Sequence, residues 1–104
     1  MNALKELFII KVPQLDQETP RTEIILPHYE FYTLLVEDYN MALDLGSKLV
    51  QEKKIHAVIL CAGFTNEEVG DLTRELGHDV GVLIARGDGR TSSIVNQAIE
   101  NAGW

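Results

Sequence analysis

Residues 57–68, Ala-Val-Ile-Leu-Cys-Ala-Gly-Phe-Thr-Asn-Glu-Glu, contain the pattern around which the rest of the chain is arranged. A short apolar run ends at Cys61, a turn follows at Gly63, and Thr65 begins a helical pattern. Thr65 and Glu68 form a capping box, in which each side chain accepts a hydrogen bond from a free backbone N–H at the helix start. The stretch therefore predicts a buried strand that leads into a helix, the junction at which open α/β sheets usually bind ligands.

Strand and helix patterns alternate on both sides of this junction. Strands are predicted at residues 7–12, 30–36, 56–62 and 80–85, and a short edge strand at 22–26 is expected to pair with 30–36 as a hairpin. Helices are predicted from an Asp38 cap to about Lys53, from Thr65 to Gly77, and after a cap at Thr91 or Ser92. The last helix is expected to turn an apolar stripe inward, made of Ile94, Val95, Ala98, Ile99 and Ala102.

The order of these elements, β-(β)-β-α-β-α-β-α, predicts an α/β fold. Because strands alternate with helices through the last part of the chain, we expect a mainly parallel sheet of four to five strands with three helices. The central strands are apolar on both faces, and three helices are barely enough to cover both. Either the helices divide between the faces, or a partner chain covers the face that they leave open. We favour the partner chain and predict a homo-oligomer; a monomeric doubly wound sheet is the alternative.

Size, charge and cysteine content limit the classes of function. A chain of 104 residues is expected to form one domain, residues 1–104. Its net charge of −7 repels phosphate backbones, so no nucleic-acid partner is expected. Cys61 is the only cysteine, which fits a reducing compartment, and no apolar run is long enough for a signal or a membrane span. We therefore predict a cytoplasmic protein with no membrane partner and no cofactor, and no metal site either, since the three histidines lack ligand spacing.

The element order, the helix start at Asp38 and the run Ile59-Leu-Cys-Ala-Gly-Phe64 resemble a small uncharacterised bacterial family. Its members are domains of unknown function of about this length, with a Cys-Gly-Gly-Phe-type turn after the central strand. Ala62 stands at the position of the first glycine of that turn. The likeness extends from the first strand to about Gly89. The resemblance implies the α/β fold, and it implies no activity, cofactor or catalytic residue.

The turn after the last strand is the best candidate for ligand binding. Residues 86–93 read Arg-Gly-Asp-Gly-Arg-Thr-Ser-Ser, so arginines and hydroxyls precede or begin a helix whose first acid is Glu100. Free N–H groups and the helix dipole favour an anion at such a position. We predict a phosphate or carboxylate site at the carboxyl ends of the strands, made of Gly63, Arg86, Gly87, Gly89, Arg90, Thr91 and Ser92. A solvated turn followed by a capped helix is the alternative.

The sequence leaves open whether the protein is an enzyme. Cys61 is a candidate nucleophile because a helix begins a few residues after it, and Asp38, beside Glu37, is a candidate acid or base. Either would act on a substrate held by Arg86 and Arg90. Each of these two candidates also has a structural explanation: Cys61 as a buried cysteine and Asp38 as a helix cap. We therefore predict a homo-oligomeric binding protein with an anionic small molecule as ligand, and keep the small enzyme as the alternative.

Overall fold

The computed structural model describes residues 2–15, 21–87 and 89–104. Within them the strands are β1 (Leu4–Lys11), β2 (Arg21–Ile25), β3 (Tyr29–Val36), β4 (Ala57–Leu60) and β5 (Gly81–Ile84). The helices are α1 (Tyr39–Lys53), α2 (Asn66–Leu76) and α3 (Arg90–Asn101). This is the predicted order of elements, and the short strand expected at 22–26 is present as β2. In the part of the chain that the structure describes, no helix has both the length and the apolar character needed to span a bilayer.

The strands form one sheet in the order β2-β3-β1-β4-β5. β1 lies at the centre and pairs in parallel with β3 and β4, and β4 pairs in parallel with β5. β2 lies at one edge and pairs antiparallel with β3, which is the predicted hairpin. The prediction of a mainly parallel α/β fold is therefore confirmed, with five strands in the sheet.

The helices α1 and α2 cover one face of this sheet. Leu7 and Ile9 of β1 are completely buried there, in a core to which Ala42, Leu49 and Leu72 contribute from the two helices. Gly46 brings α1 close to the sheet, because a Cβ built on it would lie only 3.1 Å from Cδ1 of Ile9. Any Cβ at this point of α1 would require the Ile9 side chain to move by a few tenths of an ångström.

The opposite face of the sheet, called the open face below, carries the side chains that alternate with those of the core. Its members are Leu4, Glu6, Phe8 and Ile10 of β1, Thr22 and Ile24 of β2, Tyr29, Phe31, Thr33 and Leu35 of β3, Ala57 and Ile59 of β4, and Gly81 and Leu83 of β5. All of these residues are half-buried or exposed. The third helix, α3, reaches only the carboxyl end of this face, where it lies near Ile10.

The start of α1 and the start of α2 follow the sequence patterns. The Asp38 carboxylate accepts a hydrogen bond from the Met41 N–H at 2.8 Å, as expected of an N-cap. The capping box of Thr65 and Glu68 has both of its hydrogen bonds, at 2.9 and 3.1 Å. Gly77 ends α2, also as predicted. These predictions are confirmed because each depends on a few neighbouring residues alone.

The start of α3 differs from the prediction that Thr91 or Ser92 caps it. The helix begins at Arg90 with Gly89 as its N-cap, and no side chain caps it. Gly89 has a φ of 57°, a conformation that glycine adopts without strain. Ser92 therefore lies inside the first turn, where its hydroxyl donates a hydrogen bond to the Gly87 carbonyl at 2.7 Å.

The inward stripe predicted for α3 is also wrong for a single chain. No residue of α3, all of which the structure describes, is buried. Ile94 is 60% exposed, Val95 is 50% exposed and Ile99 is 38% exposed. Within residues 2–15, 21–87 and 89–104, no surface buries the apolar side chains of α3.

Candidate functional site

A cavity of about 520 Å³ lies at the carboxyl ends of β1 and β4, beneath α3. Its lining residues are Ile10, Lys11, Val12, Pro13, Glu37, Cys61, Ala62, Gly63, Val95, Ile99 and Trp104. The volume is in the range of small-molecule sites, and this is the edge at which parallel sheets bind ligands. The ends of β1 and β4, the residue after β3 and one side of α3 therefore meet at one cavity with mainly apolar walls.

Lys11 brings a positive charge to this cavity, and that charge is already paired. Its Nζ lies 3.2 Å from Oε1 of Glu68 and 5.3 Å from the centre of the Phe64 ring. Burial raises the pKa of Glu68, but hydrogen bonds from Thr65 and Lys11 outweigh burial, so that the pKa is lowered from its ordinary value. The ion pair joins the end of β1 to the first turn of α2, and Lys11 thereby supports the turn after β4.

The thiol of Cys61 is half-buried in the cavity wall. Its Sγ accepts a hydrogen bond from the backbone N–H of Lys11 at 3.2 Å. A Cβ built on Gly63 would lie 3.5 Å from Sγ, an ordinary contact distance, so the turn has room for a small side chain at that position. Among the described residues, no group of three or more His, Cys, Asp or Glu side chains is arranged to hold a metal ion.

The two acids after β3 have different surroundings. Glu37 lines the cavity, and its carboxylate accepts a hydrogen bond from the Leu15 N–H at 2.9 Å. The carboxylate of Asp38 is occupied by the Met41 N–H at the start of α1. The structure thus assigns Asp38 a capping role, and its use as a general acid or base stays a prediction from the sequence.

The residues of the predicted anion site divide between two neighbouring places. Gly63 lies at the cavity, whereas residues 86, 87 and 89–92 form the turn after β5 and the first turn of α3 and do not line it. The Ala85 N–H donates to the Leu60 carbonyl at 2.7 Å, so the turns after β4 and β5 leave the sheet side by side. Arg86 and Arg90 are exposed. The structure therefore shows an apolar cavity and, on the adjacent strand, an exposed basic turn.

Comparison with protein families identifies one family whose model matches this chain. The family model described as Family of unknown function (DUF6506) matches residues 4–100, nearly the whole 104-residue chain. The chain belongs to this family. No curated protein matches it. Membership of DUF6506 confirms the resemblance to a small family of unknown function; the turn motif and the bacterial origin stay predictions from the sequence.

Sequence reasoning missed the contribution of α3 to the cavity of this DUF6506 chain. Val95 and Ile99 lie one helical turn apart, and Trp104 follows the end of the helix; all three line the cavity. Their spacing was visible in the sequence, but the same spacing is typical of a helix that packs tightly on a sheet. The gap between α3 and the strand ends depends on the path of the turn after β5, which local patterns do not determine.

Proposed function

We propose that this DUF6506 domain is a homo-oligomeric binding protein in which a second copy covers the open face. The observation that carries the proposal is the composition of that face. Among its described residues, Glu6 alone is charged, and its carboxylate accepts a hydrogen bond from the Tyr29 hydroxyl at 2.7 Å. A mainly apolar surface of this kind is a good candidate for an interaction site, because the largest apolar patch on a protein is often functional.

The open face is held in shape by contacts within the chain. The rings of Tyr29 and Phe31 stack with their centroids 6.2 Å apart and their planes 18° from parallel. Across the hairpin, the hydroxyls of Thr22 and Thr33 lie 2.6 Å apart. Because these side chains are already ordered, association would lose little side-chain entropy at this face.

The distribution of charge favours the same surface. With a net charge of −7, two copies repel each other, so an interface between them is expected where acidic residues are sparse. The exposed sides of α1 and α2 carry many of the charges, including Asp44, Glu67 and Glu75. The open face has the single carboxylate of Glu6. Contact through this face keeps most of the like charges of the two copies apart.

The test is the molar mass of two variants that add the same negative charge. Ile59→Glu places it on β4 in the open face, and Gln51→Glu places it on the exposed side of α1. We expect the wild type and Gln51→Glu to be oligomers by light scattering, and folded Ile59→Glu to be largely monomeric. A folded Ile59→Glu protein with the wild-type mass would contradict the proposal.

A second candidate function, anion binding at the start of α3, is favoured by the missing side-chain cap. The first-turn N–H groups of an uncapped helix attract anions, and the exposed Arg86 and Arg90 flank this turn. Inorganic phosphate is expected to raise the melting temperature of the wild type more than that of Arg86→Ala/Arg90→Ala. The matched control is Lys48→Ala/Arg74→Ala, which removes the same charge from exposed positions on α1 and α2. An equal rise in all three proteins would contradict the anion site.

The alternative of a small enzyme depends on the accessibility of Cys61. A nucleophilic thiol in the cavity wall should react with an alkylating reagent in the folded protein nearly as fast as in the unfolded one. Full protection in the folded state would contradict the nucleophile. The cytoplasmic location is part of the same proposal, since a lone reduced cysteine suits a reducing compartment.

A further inference from the structure

We propose that α3 packs on the open face of the second copy, so that two copies exchange their C-terminal helices. This inference rests on the proposed homo-oligomer, and it adds which segment of each copy binds the other. It concerns a surface that α1 and α2 leave uncovered and a helix of which no residue is buried.

The first observation is that the described hydrogen bonds of α3 reach no further than the turn before it. Every hydrogen bond described for residues 90–104 joins them to another residue between 87 and 104. No residue of α3 is buried, and the cavity of about 520 Å³ separates its inner side from the strand ends. Val95 and Ile99, at 50% and 38% exposure, therefore keep much of their apolar surface available for a further contact.

The second observation is the turn that leads into α3. Gly89 has a φ of 57°, and a Cβ built on it would meet no atom within 4 Å. The described contact of the turn with α3, from the Ser92 hydroxyl to the Gly87 carbonyl, is local. A few backbone angles near Gly89 can therefore redirect α3 without breaking any described hydrogen bond to the strands, which is the usual property of a hinge in helix exchange.

The third observation is the area that a stable pair needs. Four strand spacings of about 4.8 Å and strands of about 13 to 26 Å give the open face about 380 Å² per copy. Two such faces in contact bury about 800 Å², which is below the roughly 1,000 Å² expected of a specific interface. The twelve residues of α3 make a helix about 18 Å long and about 10 Å wide, so two helices add about 360 Å². The open faces and the helices together exceed the threshold, whereas the sheets alone do not.

The fourth observation is the match between α3 and the open face. The apolar stripe of α3 includes Ile94, which is 60% exposed and lies outside the cavity of its own chain. The helix is about as long as the sheet is wide, and its two charged residues, Arg90 and Glu100, stand near its opposite ends. One α3 covers only about half of an open face, so closure of α3 onto its own chain would leave the rest of that face in water. Exchange gives each face both a helix and the partner sheet.

Disulfide trapping in the full-length chain tests the exchange. In a Cys61→Ala background, one protein carries Ile94→Cys in α3 and a second, with a mass tag, carries Phe8→Cys on the open face. The two are unfolded, mixed and refolded together, then oxidised and examined on a non-reducing gel. Ile59→Cys offers a second position on the same face, and Gln51→Cys on the exposed side of α1 is the control partner.

We expect a disulfide-linked heterodimer from Ile94→Cys with Phe8→Cys or Ile59→Cys, in several-fold excess over that with Gln51→Cys. If no excess forms while light scattering still shows an oligomer, the exchange is wrong and the proposed homo-oligomer stands. An intrachain disulfide in a chain that carries both Ile94→Cys and Phe8→Cys would likewise overturn the exchange. A mass of one chain for the wild type would overturn both proposals.

Discussion

The close approach of Gly46 to Ile9 decides whether Gly46→Ala raises or lowers the free energy of unfolding. Gly46 lies within α1, where glycine is about 1 kcal/mol less favourable than alanine. From helix propensity alone, Gly46→Ala should therefore stabilise the protein. The structure opposes this gain, because the new methyl group would lie 3.1 Å from Cδ1 of Ile9, a side chain with 0% exposure.

The magnitude follows from these two opposing effects. Overpacking a well-filled core usually costs about 1–3 kcal/mol, so Gly46→Ala should destabilise the wild type by up to about 2 kcal/mol. Ile9→Val removes Cδ1 and by itself costs about 0.5–1.5 kcal/mol. In that background the new methyl group has room, and Gly46→Ala should stabilise by about 1 kcal/mol. The two substitutions should therefore be coupled favourably by at least about 1 kcal/mol.

The assay is urea unfolding, followed by circular dichroism, of the wild type, both single variants and the double variant. All are measured at one protomer concentration, because association changes apparent stability. Gly70→Ala in α2 is the matched control, since its Cβ would meet only the flexible Arg74 side chain at 3.6 Å. It should stabilise by about 1 kcal/mol. Additive effects of Gly46→Ala and Ile9→Val, or equal gains from Gly46→Ala and Gly70→Ala, would refute the close helix–sheet contact.

Three further predictions concern the helix cap and two titrating groups. Thr65→Ala should lower the free energy of unfolding by about 1 kcal/mol, whereas Asn66→Ala, one residue further on, should change it little; equal losses would argue against the capping box. Because the pKa of Glu68 is lowered, its contribution to stability should be present above its ordinary value of 4.5 and disappear as the pH falls through the folded value. Glu68→Gln should therefore flatten the acid side of a plot of stability against pH. Burial, with the hydrogen bond to Glu30, raises the pKa of Tyr32 from 10.0 to about 12. The contribution of this side chain to the free energy of unfolding should therefore be complete below pH 10.0 and be lost as the pH rises through about 12. Tyr32→Phe should remove that alkaline loss, and an unchanged alkaline profile would show that Tyr32 ionises freely.

Local patterns predicted much of the fold. The caps at Asp38 and Thr65 depend on residues within one helical turn, and both are present. The hairpin of β2 and β3 follows from two strand patterns beside Pro27, and it too is present. Alternation of strands and helices restricts the topology, which is why the parallel sheet could be predicted before its strand order was known.

The failures concern α3, whose position depends on tertiary contacts. The hydroxyls of Thr91 and Ser92 suggested a cap, but the flexible backbone of Gly89 allows the helix to begin earlier. The apolar stripe predicts that one side of α3 is buried. The spacing of Val95 and Ile99 does not indicate which surface packs against that side. A stripe left exposed in one chain is expected when the receiving surface belongs to another copy.

The candidate site could be predicted in position and only partly in composition. The sequence predicts a site at the carboxyl edge because parallel sheets bind ligands there, and Cys61 and Gly63 do line a cavity at that edge. The sequence also predicts Arg86 and Arg90 at this site, because their turn follows a strand whose carboxyl end lies at the same edge. The turn after β5 instead leads into α3 and places these arginines outside the cavity. Patterns among neighbouring residues do not indicate the direction of that turn.

The mass of the unmodified protein in solution decides whether a second copy covers the open face. Sedimentation equilibrium over a wide range of micromolar concentrations measures it without any substitution. We expect a mass of at least twice the chain mass of 11.6 kDa that falls toward one chain only on dilution. A mass of one chain, 11.6 kDa, at every concentration would contradict it.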